Sequence, residues 1–168
     1  MLRYVDAVVT FAEVPDEVNL CISISNCPNH CPACHSKYLW DDIGEELTEQ
    51  TLFNLIHQNR GITCVCLMGG DGEPDTVLDL LFAVKNGTEL KTCWYSGRTQ
   101  RYWEKEGLFP ENYECLNYVK FGPYEESSGG LDKETTNQRM YEIDSSEPSG
   151  FIMEDITHLF WERRKNKI

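Results

Sequence analysis

The chain has 168 residues, 40% hydrophobic and 26% charged, the proportions of a single globular domain (1–168) and not of a disordered, fibrous or two-domain chain. Fifteen Lys and Arg against 28 Asp and Glu give a formal net charge of -13, which argues against a phosphate-tracking surface and makes nucleic acid an unexpected partner. No stretch approaches the ~18 to 20 apolar residues of a membrane span, and the opening MLRYVDAVVTFAEVPDE lacks the marks of a secretory leader, so a soluble, cytoplasmic protein is expected. Eight cysteines are more than a domain of this size needs for folding, and in a reducing compartment they point to metal ligation or redox chemistry.

Val18 to Ser25 (VNLCISIS) is β-branched and apolar and breaks at Asn26, which predicts a strand leading into the Cys/Pro-rich loop Cys27 to His35. Thr48 caps a predicted helix running to about Gln58, with Leu47 and Leu52 as its hydrophobic staple and Gly61 as a stop. Ile62 to Met68 is an apolar run of strand length ending in Gly69-Gly70-Asp71-Gly72. Pro74 opens a second helix, in which Val77, Leu80, Leu81 and Val84 fall on one face and Asn86-Gly87 forms the stop. Leu90 to Tyr95 is a third strand ended by Ser96-Gly97, Gln100 to Gly107 a short helix, and Tyr113 to Phe121 contains a fourth strand before Gly122-Pro123. Glu125 to Ser149 reads as a polar, Gly/Ser-rich excursion, after which hydrophobic residues resume at Phe151 to Trp161. Strands alternating with helices predict an α/β fold of βαβ units and a mostly parallel sheet. Four units are too few to close a full barrel of ~250 residues, so an open sheet or incomplete β/α barrel is expected, with ligands at the carboxyl ends of its strands.

The loop Cys27-Pro28-Asn29-His30-Cys31-Pro32-Ala33-Cys34-His35 carries C-x3-C-x2-C, with prolines that stiffen the thiol arrangement. One reading is structural zinc held by Cys27, Cys31, Cys34 and either His30 or His35. The other is a 4Fe-4S cluster with three thiolate ligands and one iron left open; the absence of a second ligand pair downstream favours it.

This spacing resembles the signature of the radical S-adenosylmethionine superfamily, and Gly69-Gly70-Asp71 is similar to its glycine-rich motif. The closer resemblance is to the activating-protein family of anaerobic ribonucleoside-triphosphate reductases. It rests on the Cys-Pro-x-x-Cys-Pro-x-Cys form of the loop, Trp40-Asp41 just after it, and the late Thr135-Thr136-Asn137-Gln138-Arg139. The resemblance runs from about Val18 to Met140. It departs in reading Gly-Gly-Asp-Gly-Glu-Pro for Gly-Gly-Asp/Glu-Pro, so that Asp71 or Glu73 takes the acidic role. Ala33 stands where an aromatic residue is frequent, and Glu13-Val14-Pro15-Asp16 where Asp-Gly-Pro-Gly is usual.

The resemblance implies an incomplete barrel of the radical S-adenosylmethionine type with Cys27, Cys31 and Cys34 on a 4Fe-4S cluster. S-adenosylmethionine would be held near Ala33, His35, Gly69, Gly70, Asp71, Glu73, Ser96 and Asn137. It further implies reductive cleavage of that cofactor to place a glycyl radical on an anaerobic ribonucleotide reductase, with an electron donor such as flavodoxin. Gly69 and Gly70 would then permit close backbone approach to the methionine moiety.

Other signals are weaker. Cys21, Cys64, Cys66 and Cys93 lie in predicted strands and read as simple packing. Ser96 is either a cofactor contact or a turn, and Lys120 either a partner for a carboxylate or an exposed strand-end lysine. His30 and His35 read as solvated loop residues. Asn137, Gln138 and Arg139 would hold the adenosyl group or a returning strand, and Arg163, Arg164, Lys165 and Lys167 form a basic tail.

Overall fold

The computed structural model describes residues 1–109, 113–145 and 150–165; the basic tail lies outside the described side chains. In chain order the elements are β1 (Arg3–Thr10), β2 (Asn19–Ile24), β3 (Glu45–Glu46), α1 (Glu49–Gln58), β4 (Cys64–Met68), α2 (Pro74–Gly87), β5 (Lys91–Tyr95), α3 (Gln100–Lys105), β6 (Tyr118–Phe121), β7 (Arg139–Asp144), β8 (Ile152–Asp155) and α4 (His158–Lys165). Short 3-10 turns cover Lys37–Trp40 and Tyr113–Cys115.

Among the described residues the eight strands join one open sheet in the order β3-β1-β2-β4-β5-β6-β7-β8. The central strands β2, β4, β5 and β6 run parallel, linked by crossovers through α1, α2 and α3. The four outer pairings are antiparallel, so the expected mostly parallel sheet is corrected to a mixed one with a parallel centre. The β1–β2 and β7–β8 returns are shorter than the dozen or more residues a parallel crossover needs.

Four strands fall where the sequence suggested none: β1, the two-residue β3, β7 and β8. β1 carries no consistently buried face, its side chains being half-buried or exposed along its whole length, so no alternation announces it. β7 lies inside the stretch read as a polar excursion, and of its own residues only Met140 and Ile143 are buried. Elsewhere local rules hold. The N–H of Thr51 donates to Thr48 Oγ1 at 3.1 Å, Leu47 and Leu52 are buried beside that cap, and α2 starts at Pro74 and buries Val77, Leu80, Leu81 and Val84.

The parallel strands are covered on both faces, which explains their near-continuous apolar runs. On one face Leu20, Ile22, Val65, Leu67, Trp94 and Val119 pack against α1 and α2 through Leu52, Ile56, Val77 and Leu81. On the other, Cys21, Cys64, Cys66, Cys93 and Tyr118 lie under Val14, Met140 and Ile156, with Leu159 and Phe160 of α4 packed against them. Cys21, Cys66 and Cys93 are register partners across β2, β4 and β5, a row of thiols over three strands. All three are buried in this cluster, and burial pushes the Cys93 thiol up to about 11 and the Cys66 thiol well above its ordinary value.

Candidate iron–sulfur site

The carboxyl ends of the parallel strands form one edge of the sheet, and the distinctive loops leave from it. β2 runs into the cysteine loop, β4 into Gly69–Asp71, β5 into Ser96-Gly97 and β6 into Gly122. The cysteine loop is tied to the turn that follows it: Asn26 N–H donates to Asp41 O at 3.0 Å and Cys27 N–H to Leu39 O at 2.9 Å. That tie brings Trp40 under the loop, where the His30 ring stacks on the indole at 4.8 Å and 13°. His30 stays exposed but is not merely solvated, because Trp40 covers one of its faces. His35 is exposed with its ring 4.8 Å from that of Tyr124, and Ala33 is half-buried between the second and third cysteines.

Cys27, Cys31 and Cys34 are free and half-buried. Cys34 N–H closes a turn onto Cys31 O at 2.9 Å, and Ser36 N–H donates to Cys34 Sγ at 3.4 Å. Burial pushes the Cys27 thiol up, opposed by the backbone N–H groups of Asn29 and His30 that point at its sulfur. Among the described residues no three His, Cys, Asp or Glu side chains stand close enough to hold one metal ion, whereas a 4Fe-4S cluster asks each thiolate to bind an iron of its own. The donor set fits a 4Fe-4S cluster: soft thiols on one short loop, with backbone N–H groups aimed at two of the sulfurs as cluster thiolates require.

Asp71 is the hub that joins the strand ends. It is 7% exposed, accepting from Ser96 Oγ at 2.5 Å on one oxygen and from Gly97 N–H at 2.8 Å and Asn29 Nδ2 at 2.5 Å on the other. Trp103 Nε1 donates to Ser96 Oγ at 2.8 Å, and Trp94 Nε1 to Gly69 O at 2.8 Å, so both aromatic donors lock the loops from below. Asn29 thereby fastens the cysteine loop to the β4 and β5 ends. Of the two acidic candidates, Asp71 faces this loop, while Glu73 turns outward and pairs with the Met1 amino group.

Gly69 and Gly70 have φ of +102° and +83°, so both need glycine for their backbone. A Cβ on Gly70, however, would meet Val77 Cγ2 at 2.4 Å, with Ile24 and Leu2 behind it: the crowding is toward the helix-side core. The glycine whose missing side chain clears the site is Gly97. A Cβ there would lie 2.2 Å from Asn29 Nδ2 and 3.2 Å from Asp71 Oδ2. Asn29 and Gly97 were not singled out from the sequence, because only the fold brings residues so far apart together.

Lys120, read as a carboxylate partner or an exposed lysine, is neither. It is 7% exposed, and its Nζ donates to Gly122 O at 2.6 Å and Ser96 O at 3.3 Å, 6.0 Å from the centre of the Tyr95 ring. Burial pushes its ammonium down to about 8, against the opposing charges of Asp71 and the loop thiols. Tyr95 OH donates to Glu13 O at 2.5 Å, and burial raises the Glu13 carboxyl despite Tyr95 and Lys120. Glu13, Tyr95, His35, Tyr124, Gln138 and Phe160 line a cavity of about 670 Å³ beside the cysteine loop. Asn137 lies apart, in a pocket of about 100 Å³ with Thr99, Gly122 and Tyr141; its Nδ2 donates to Pro123 O at 3.0 Å and its Oδ1 is buried without a partner. Gln138 is buried on the cavity side, and Arg139 begins β7 with its guanidinium on Thr136 O and Gln138 O.

A three-thiol loop on the carboxyl edge of an α/β sheet, fastened there by a buried carboxylate, defines an iron–sulfur protein. The sequence pattern of the 4Fe-4S single cluster domain family matches residues 17–143. The chain belongs to that family, and the matched span runs from just before β2 to within β7, taking in every strand end that builds the site. No curated protein and no solved structure matches the chain at a significant level. No helix among the described residues is long and apolar enough to cross a membrane.

Proposed function

We propose that this protein is a radical S-adenosylmethionine activase that places a glycyl radical on an anaerobic ribonucleoside-triphosphate reductase, taking its electron from a donor such as flavodoxin. The observation that carries the reading is the placement of the three-cysteine loop against the Gly69–Asp71 loop through the Asn29–Asp71 hydrogen bond. When bound, the cluster supplies the electron that splits S-adenosylmethionine into methionine and a 5′-deoxyadenosyl radical, which takes hydrogen from a backbone glycine of the partner. Cys27, Cys31 and Cys34 hold the cluster in this reading. Asp71, oriented by three donors, attracts the cofactor's ammonium to the cluster side, and Ser96 fixes the carboxylate that does so. The orphaned Asn137 Oδ1 is an acceptor suited to an adenine amino group or a ribose hydroxyl.

An open sheet with its loops on one edge leaves the site uncovered, and a partner that brings the target glycine also excludes water. A second reading, a small-molecule radical enzyme, is favoured by the cavity of about 670 Å³, a size that holds a whole small ligand. The test is anaerobic reconstitution followed by strong reductant and S-adenosylmethionine, with 5′-deoxyadenosine measured. Slow formation that the reductase accelerates, with a glycyl radical on the reductase, supports the activase. No 5′-deoxyadenosine under either condition overturns both readings, and fast partner-free turnover on a small molecule selects the second.

A further inference from the structure

Lys120 poses a problem of charge. Its ammonium sits at the end of β6, 7% exposed, and is held by two backbone carbonyls. Among the described residues no carboxylate comes within ion-pair distance of it. Burying a cation on neutral acceptors alone is costly, and folded proteins normally supply an opposing charge.

The groups facing it are few. Asp71 is joined to it through Ser96, whose hydroxyl donates to Asp71 while its carbonyl accepts from Lys120. The Tyr95 ring and the Glu13 carboxyl lie on the cavity side. The cysteine loop lies beyond Asp71, connected by Asn29. A continuous chain of hydrogen bonds therefore runs from Lys120 through Ser96 and Asp71 to the residue two places after Cys27. The other cations near this edge are placed differently: Lys37 is exposed over the Trp40 ring and Arg98 lies over the Tyr102 ring.

We propose that Lys120 is the buried counter-charge of the iron–sulfur cluster, holding its midpoint potential up by favouring the reduced, more negative state. Thiolates and sulfides make the bound cluster anionic, and reduction adds a further negative charge, so a fixed cation in a poorly solvated interior stabilises the reduced form more than the oxidised form. Asp71 opposes it. The pair thus sets the potential as a difference, with the lysine on the neutral carbonyls of β5 and β6 and the carboxylate on Asn29, Ser96 and Gly97. Lys120 acts through charge and touches no reacting atom, which makes it a positioning residue. The inference rests on Cys27, Cys31 and Cys34 holding the cluster and is independent of S-adenosylmethionine chemistry.

The experiment is an anaerobic redox titration of the reconstituted full chain without S-adenosylmethionine, followed by the electron paramagnetic resonance signal of the reduced cluster. Lys120→Met should lower the reduction equilibrium constant at least about tenfold, equivalent to ~59 mV for a one-electron couple. Lys120→Arg, which keeps the charge, should stay within about threefold of wild type. Asp71→Asn should shift the midpoint upward. A wild-type midpoint in Lys120→Met at full iron content overturns the proposal, as does an equal fall in Lys120→Arg. Should Lys120→Met fail to retain iron, the Asp71→Asn arm decides: an unchanged or lowered midpoint there overturns it. Loss of iron-binding by the wild-type loop would instead show that the ligand assignment is at fault.

Discussion

Gly97→Ala tests how the cysteine loop is held. The new Cβ would stand 2.2 Å from Asn29 Nδ2 and 3.0 Å from its Cγ. Carbon contacts settle near ~3.5 to 4.0 Å, so the amide must withdraw by about 1 Å or more, opening its 2.5 Å bond to Asp71. A hydrogen bond to a charged group contributes about 1.5–3 kcal/mol. Gly97 is not among the residues with positive φ, so alanine adds no backbone strain and returns about 0.4–1 kcal/mol by restricting the unfolded chain. The net loss is about 1–2 kcal/mol, roughly a 5- to 30-fold rise in loop opening. Reconstituted Gly97→Ala should release iron to a chelator faster by that factor, and melt roughly 2–8 °C lower. Asn29→Ala removes the same bond, so in its background Gly97→Ala should cost nothing. If the two substitutions add in the double variant, or if Gly97→Ala alone leaves iron release unchanged, the anchoring role assigned to Asn29 and Asp71 is wrong.

Gly70→Ala should destabilise the whole fold by about 2–4 kcal/mol in a denaturant titration, from a positive-φ position and a 2.4 Å contact with Val77; Val77→Ala in the same chain should restore part of the loss. Cys27→Ser, Cys31→Ser and Cys34→Ser should each abolish cluster retention, measured as iron and sulfide per chain, because serine is too weakly acidic to replace a thiolate. Burial raises the Glu17 carboxyl, but hydrogen bonds from Lys91 and Thr63 outweigh it and leave the group below its ordinary 4.5. Its contribution is therefore complete above pH 4.5 and lost as pH falls through the lowered value; Glu17→Gln should flatten that acid limb of a melting-temperature profile. The same pairing raises Lys91 above its ordinary 10.5, so its share is full below pH 10.5 and fades only in stronger alkali, which Lys91→Met should remove.

Signals confined to neighbouring residues were legible in the sequence. Thr48 with Leu47 and Leu52, Pro74 with its apolar face, and the apolar runs of β4 and β5 each predicted their element, because cap, stripe and run are properties of a short stretch. The cysteine loop and Asp71 were legible for the same reason. What was hidden depended on distance along the chain. β1 and β7 owe their place to neighbours in the sheet and not to an alternating pattern. Gly97 matters because it lies against Asn29, and Lys120 because it lies under Ser96. The neighbour that crowds Gly70, Val77 in the helix-side core, was hidden in the same way.

The site's parts are spread unevenly along the chain, and this orders events during synthesis. The thiols at Cys27, Cys31 and Cys34 leave the ribosome first, while Asp71, Ser96, Gly97 and Lys120 follow much later. A nascent chain that has just exposed its cysteines has neither the carboxylate that anchors Asn29 nor the strand ends that shelter the loop. Iron delivered at that stage meets three unconstrained thiols open to oxidation and to competing metals. Cluster delivery is thus best timed after β6 has joined the sheet, and a carrier that recognises the folded edge would distinguish a finished protein from one still being made.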